Sequence, residues 1–230
     1  MYRIPLIIDV VSDVVCPWCY LGGKRLEAAA AGIDDVEVHV RWRPFQLDPA
    51  IPPEGTDRRE YMRNKFGDED RLRAAHERLV SLGAAEGISF DFDAIKVSPN
   101  TLDAHRVIRW AGTYGEEVQT RLVGEMFSRY FERGENTGDR HVLAEAAGAA
   151  GMDVPVVETL LATDADADAV RAEIATASRM GITGVPCFLL EGRYAVMGAQ
   201  ESAVLADAIR QVASAKARGE LDEPEDPSVA

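Results

Sequence analysis

Residues 4–22 read Ile4-Pro5-Leu6-Ile7-Ile8-Asp9-Val10-Val11-Ser12-Asp13-Val14-Val15-Cys16-Pro17-Trp18-Cys19-Tyr20-Leu21-Gly22. The first nine are rich in β-branched side chains, with only Asp9 and Ser12 polar, the pattern of a buried strand. Asp13 opens a turn, and Pro17 suits the first position of a helix, where its missing N–H costs nothing. Helical character continues from Trp18 through Leu21, Leu26 and the alanines at 28–31, to a stop at Gly32. Residues 36–43 then alternate, so Val36, Val38, Val40 and Trp42 share one face of a second strand. Strand, helix, strand is the start of a parallel βαβ unit.

The spacing Cys16-Pro17-Trp18-Cys19 allows a small, reversible disulfide if the backbone turns into a helix there. Cys16 then falls at the helix N-terminus, where unpaired N–H groups and the helix dipole favour a thiolate. Thiols in such settings have pKa values of about 3.5–7.5, against about 8.5 unperturbed. Since the thiolate is the attacking species, Cys16 is the expected nucleophile and Cys19 the resolving thiol. Two other readings stay open: half of a structural zinc site, and a pair of inert buried thiols. Zinc requires two more ligands at matching spacing. Only Cys187 and the scattered His39, His76, His105 and His141 remain, so no metal site is expected. Inert thiols suit a strand-to-helix junction poorly.

Working outward, residues 44–56 form a loop punctuated by Pro44, Pro49, Pro52, Pro53 and Gly55. Strand signals then vanish for over a hundred residues, and helical patterns follow at 57–66, 69–86, 100–114, 116–133, 139–150, 154–163 and 166–180. The spacing Leu122/Met126/Tyr130 reads as core packing, and Asn100 as a helix N-cap. Strand character returns at 184–190, with Glu191-Gly192 as the turn of a hairpin ending at Met197. Residues 201–217 close the fold as an amphipathic helix with Val204, Leu205, Ala208, Ile209 and Val212 inward. From Gly219 the tail is acidic, carries Pro224 and Pro227, and is expected to be disordered.

The net charge of −14 argues against a nucleic-acid partner, since phosphate binding draws on Lys and Arg. No stretch approaches the roughly 20 apolar residues of a membrane span. The N-terminus lacks the pattern of a secretory signal, so a cytoplasmic location is expected.

In combination, four further stretches join the residues 12–22 already quoted. They are Arg43-Pro44-Phe45-Gln46-Leu47, Pro99-Asn100-Thr101-Leu102-Asp103-Ala104-His105-Arg106, Gly184-Val185-Pro186 and Tyr194-Ala195-Val196-Met197-Gly198-Ala199-Gln200. Together they resemble the FrnE-like branch of the DsbA-family thiol–disulfide oxidoreductases, relatives of the 2-hydroxychromene-2-carboxylate isomerases. The resemblance implies an α/β thioredoxin fold, DsbA-like, with a large all-helical insertion. Residues 1–56 and 164–218 would form the thioredoxin-like domain, 57–163 the insertion and 219–230 the tail. It also implies a cis Pro186 against the disulfide, leaving the Val185 backbone to pair with substrate; X–Pro bonds in general are cis in roughly 5–6% of cases. The function implied is disulfide exchange through Cys16 and Cys19 with protein thiols or small thiols. No bound cofactor is needed, with glutathione an admissible co-substrate, no membrane partner, and a monomer or homodimer as the assembly. Relatives with isomerase activity tend to carry Ser in place of Cys16. A glutathione-dependent isomerase or transferase, and a metal-binding or chaperone-like module, are the alternatives.

The remaining candidates are Trp18 and Pro17 as an apolar docking surface, and His105 as a group that positions a thiol or moves a proton. His105 equally reads as a backbone anchor between domains. Lys24 and Arg25 read either as positive potential near the thiolate or as a solvated helix face. Cys187 departs from the family pattern, in which an apolar residue usually follows the proline. It reads as a small buried side chain, or as a third thiol within reach of Cys16. His39, His76 and His141 are assigned no role.

Overall fold

The computed structural model describes residues 3–221. Strand β1 (Ile4–Ser12) leads through a short turn into helix α1 (Pro17–Ala31) and strand β2 (Val36–Pro44). The pair β1/β2 is parallel, with Val10 opposite Trp42, as the βαβ reading expects. Strands β5 (Cys187–Leu190) and β6 (Tyr194–Met197) complete a sheet of order β2-β1-β5-β6, with β5 antiparallel to both neighbours. The β-α-β start, the long helical stretch before β5 and the closing hairpin and helix follow the order expected from the sequence.

Between β2 and β5 the chain is almost wholly helical: α2 (Arg58–Phe66), α3 (Glu69–Ala85), α4 (Leu102–Tyr114), α5 (Glu116–Phe131), α6 (Arg140–Ala150), α7 (Val154–Leu161) and α8 (Ala167–Arg179). Leu122, Met126 and Tyr130 of α5 have no exposed surface, as their spacing predicted. Tyr20 of α1 stacks on Phe127 at 5.1 Å and meets Phe90 edge-on at 5.9 Å. One apolar cluster therefore runs from the sheet into the insertion. Helix α9 (Ser202–Ala217) packs beside α1 and buries Leu205, Ile209 and Val212.

Several expectations need correction. The insertion is not free of strand: β3 (Thr56–Asp57) pairs with β4 (Val97–Ser98), too short a ladder for any periodicity to announce. β5 begins at Cys187, not 184, because Pro186 has no N–H to give a ladder. Val204 is 47% exposed, one position off the buried stripe of α9. The N-cap of α4 is Thr101, and Asn100 before it accepts from the Leu102 N–H through its side chain. Residues 219–221, counted with the disordered tail, instead cap α9. Gly219 takes a positive φ of 75°, the Glu220 N–H bonds the Ala215 carbonyl, and Leu221 is buried. The rest of the tail lies outside the described residues.

The three-residue connection Glu191-Gly192-Arg193 carries φ of 51° at Glu191 and 69° at Gly192 and is closed by the Arg193 N–H on the Leu190 carbonyl, left-handed angles that suit a tight hairpin turn. A glutamate holds this left-handed position because its carboxylate accepts from Ile7 N–H (2.7 Å) and Lys216 Nζ (2.9 Å).

Candidate active site

Cys16 is the N-cap of α1 (φ −96°, ψ 111°) and Pro17 its first residue. The Cys16 N–H donates to the Asp13 carbonyl at 3.0 Å, and the Cys16 carbonyl accepts from Cys19 and Tyr20 N–H at 3.0 and 3.3 Å. This first turn brings the two thiols together, unbonded. They differ in access. Cys16 keeps 4% exposure and lines a cleft of about 630 Å³, whereas Cys19 is sealed at 0% and does not reach it. Burial holds the Cys19 thiol well above the ordinary range, and its hydrogen bond to Cys16 and the charge there add to the effect. Ser12 and the Asp13 amide pull the other way. Cys19 is thus held protonated.

Across the cleft floor the Val185–Pro186 peptide is cis. The Val185 carbonyl accepts from Cys16 Sγ at 3.7 Å, so it is not free while that sulfur carries a proton. Pro186 is buried on α1, where a Cβ on Gly22 would stand 3.0 Å from Pro186 Cγ and 3.1 Å from Phe188 Cζ. Glycine is what lets this peptide approach the helix. The Gly22-Gly23 pair inside a helical pattern was the available signal for such a contact.

Cys16, Pro17, Trp18 and Val185 share the cleft wall. His105 does not join them. It is 3% exposed; its Nε2–H donates to the Phe45 carbonyl at 2.8 Å and lies 3.3 Å from Asp13 Oδ1. Asp13 in turn accepts from the Leu47 N–H at 2.8 Å, and Asn100 Nδ2 donates to the Ile51 carbonyl at 2.6 Å. These bonds pin the 44–53 loop beside the cysteines, which makes His105 a backbone anchor. Nothing local in the sequence announces contacts between residues 13, 47 and 105.

Arg25 corrects both of its readings: it is buried, tied to Glu86, to the Ala199 carbonyl and to Glu201, while Lys24 pairs with Glu27 on the surface. Cys187 is fully buried and sits with Val11, Ala177 and Ile182. Its neighbour Phe188 belongs to the cluster under α1. Alternation along β5 therefore puts Cys187 on the sheet face away from Cys16, and burial pushes its thiol pKa up.

The opposite cleft wall comes from α2 and α3. Arg58 is half-buried there, and its Nη1 reaches Tyr130 OH (3.4 Å) and Ser98 Oγ (3.5 Å). Among the described residues no carboxylate pairs with it or with Lys65 and Arg71, which also line the cleft. His76, given no role from sequence, stacks on Phe92 at 4.0 Å and lines the same wall. Its pKa is lowered by burial first and by Arg58 second. Among the described residues no three His, Cys, Asp or Glu side chains converge as a metal site would require, and no helix is long and apolar enough to cross a membrane.

Comparison with known proteins agrees with this geometry. A probable DsbA oxidoreductase from Streptomyces coelicolor superposes with a TM-score of 0.81 at 31% identity, covering 90% of this chain and 89% of that one. The protein YwbO of Bacillus subtilis is 29% identical over 205 residues, 88% of this chain and 94% of its own. A 2-hydroxychromene-2-carboxylate isomerase shares the fold at a TM-score of 0.68 and 18% identity, covering 92% of this chain and 98% of that one. Residues 7–210 match the DSBA-like thioredoxin domain, and with a paired Cys16 and Cys19 at the head of α1 the chain belongs to that family.

Proposed function

We propose that the chain is a thiol–disulfide oxidoreductase whose Cys16–Cys19 pair passes two electrons to or from a thiol or disulfide entering the cleft. The observation that carries this reading is the inequality of the two sulfurs: one on the cleft wall at a helix N-cap, the other sealed behind it. In the reducing direction, Cys16 thiolate attacks a substrate disulfide, forms a mixed disulfide and expels one substrate thiolate. Cys19 gives its proton to solution and attacks Cys16 Sγ. The Cys16–Cys19 disulfide forms, and the second substrate thiolate leaves. The oxidising direction is the reverse. The pair itself holds the electrons, so the cycle needs no bound cofactor. A cytoplasmic setting, with its pool of thiols, fits either direction.

Arg58, Lys65 and Arg71, cationic and without carboxylate partners among the described residues of a chain of net charge −14, favour a small anionic thiol or disulfide such as glutathione as one substrate. Trp18 and Pro17 offer an apolar rim to a protein substrate. The test is Cys19→Ser, incubated with oxidised glutathione and with a disulfide-bonded protein, then analysed by mass. A stable mixed disulfide on Cys16, absent in Cys16→Ser, is the expected result. Catalytic glutathione-dependent isomerisation that survives Cys19→Ser contradicts the proposal, as does stoichiometric zinc in the purified protein.

A further inference from the structure

Strand β1 alternates cleanly between two environments. Leu6, Ile8 and Val10 belong to the cluster under α1, with Leu21 and Phe188, whereas Val11 lies with Cys187, Ala177 and Ile182 across the sheet. Continuing the alternation places the Ser12 side chain on the α1 face. Three apolar side chains in a row are thus followed by a hydroxyl. Ser12 is 4% exposed, and its Oγ makes no hydrogen bond, a condition shared among the described residues only by Thr137. A buried polar group without a partner is destabilising, a cost that alanine at this position would avoid.

On that same face, in the cluster under α1, lies Cys19 with no exposed surface. The hydroxyl acts on the Cys19 sulfur in the direction that favours its thiolate, together with the Asp13 backbone amide, while burial opposes that thiolate. Cys19 is sealed from water, yet disulfide exchange requires its sulfur to carry negative charge, as leaving group in one direction and as nucleophile in the other. Solvent cannot stabilise that charge, so a fixed donor must.

We infer that Ser12 is a catalytic residue whose O–H donates a hydrogen bond to Cys19 Sγ whenever that sulfur is a thiolate. The assignment rests on the redox reading above. When an external thiolate attacks Cys16 in the disulfide form, a bond forms between the attacking sulfur and Cys16 Sγ and the Cys16–Cys19 bond breaks. The electron pair of the broken bond goes to Cys19. Ser12 neither gains nor loses a proton; it supplies the hydrogen bond, and Cys19 later takes its proton from solution. The hydroxyl is unpartnered in this reduced structure because a neutral thiol asks less of it.

The experiment is rapid-mixing reduction of the oxidised protein by excess glutathione, followed by tryptophan fluorescence, in the parent chain and in Ser12→Ala. The variant should react about tenfold more slowly, the worth of one hydrogen bond to a charged group. Its iodoacetamide alkylation at Cys16 should stay at the parent rate, and the thermal midpoint of the reduced form should be unchanged or higher. A structural role for Ser12 would not separate these readouts. The isosteric pair Ser12→Thr and Ser12→Val repeats the comparison at constant shape, with only threonine keeping a near-parent rate. In a Cys16→Ser/Cys187→Ala background, where Cys19 is the sole thiol, its ultraviolet thiolate titration should move to higher pH on Ser12→Ala. A parent that cycles while Ser12→Ala reacts equally fast overturns the assignment alone, as does equal loss of Cys16 alkylation and rate. A parent that forms no Cys16–Cys19 disulfide overturns the redox reading and this assignment with it.

Discussion

At the scale of single residues, the three cysteines divide by burial and by the face they occupy. Cys19 and Cys187 are both buried with raised pKa values, so the folded state prefers their protonated forms. The stability they contribute is fully present below the ordinary thiol value of about 8.5, and is lost as pH rises through the higher folded values. Reduced protein should therefore lose unfolding free energy between about pH 8.5 and 10, below the range in which buried tyrosines add their own losses. Oxidation removes the share of Cys19, and Cys187→Ala removes that of Cys187. Urea denaturation of the three forms at several pH values measures this, and a flat profile in the reduced parent contradicts it. Thiol titration gives a second check. Oxidised protein should expose one thiol only after unfolding, and oxidised Cys187→Ala none, because Cys187 lies across the sheet from Cys16.

At the scale of elements, the site is α1 docked against the strand that follows Pro186, and Gly22 sets how closely they approach. Gly22→Ala gains about 1 kcal/mol of helix propensity. The gain is offset by displacing a rigid proline ring and Phe188, an overpacking that typically costs about 1–3 kcal/mol. Exchange rate should fall severalfold while the thermal midpoint moves little; an unchanged rate contradicts the contact. Arg106 holds a comparable post in the insertion. It is 1% exposed, donates to the carbonyls of Leu160, Thr163 and Ala165, and pairs with Asp103. Arg106→Leu takes the Arg106 donor from the Thr163 and Ala165 carbonyls, while the Leu160 carbonyl keeps Thr163, and should cost roughly 3–5 kcal/mol, read as a lower urea midpoint.

These elements also show what a sequence displays and what it hides. The β1–α1–β2 unit and the Glu191-Gly192 hairpin were legible because every element in them carries its own local signal, by alternation, by Pro17 at a helix start and by turn chemistry. The β3/β4 ladder, the Asp13–His105 contact and the docking of Arg58 into the cleft join residues 40 to 92 positions apart. No local pattern specifies such pairs. His105 stood between two readings for that reason: a histidine at a helix start looks the same whether it faces substrate or a backbone carbonyl.

At the scale of the whole molecule, an acidic chain places three cations, none with a carboxylate partner among the described residues, against the two carboxylates Asp13 and Asp48 in the cleft that contains its nucleophile. Arg58→Ala should raise KM for oxidised glutathione by about three- to tenfold, with a weaker salt dependence and little change for a neutral disulfide. Equal effects on both substrates contradict an electrostatic role. The direction of catalysis follows from the potential of the pair, for which about −270 mV marks a thioredoxin-like reductant and about −120 mV a DsbA-like oxidant. The most direct test of the whole account is that equilibrium itself, measured by tryptophan fluorescence across glutathione redox buffers. The account predicts one two-electron transition, lost in Cys16→Ser and in Cys19→Ser and retained in Cys187→Ala. No transition in the parent, or one that requires Cys187, contradicts it.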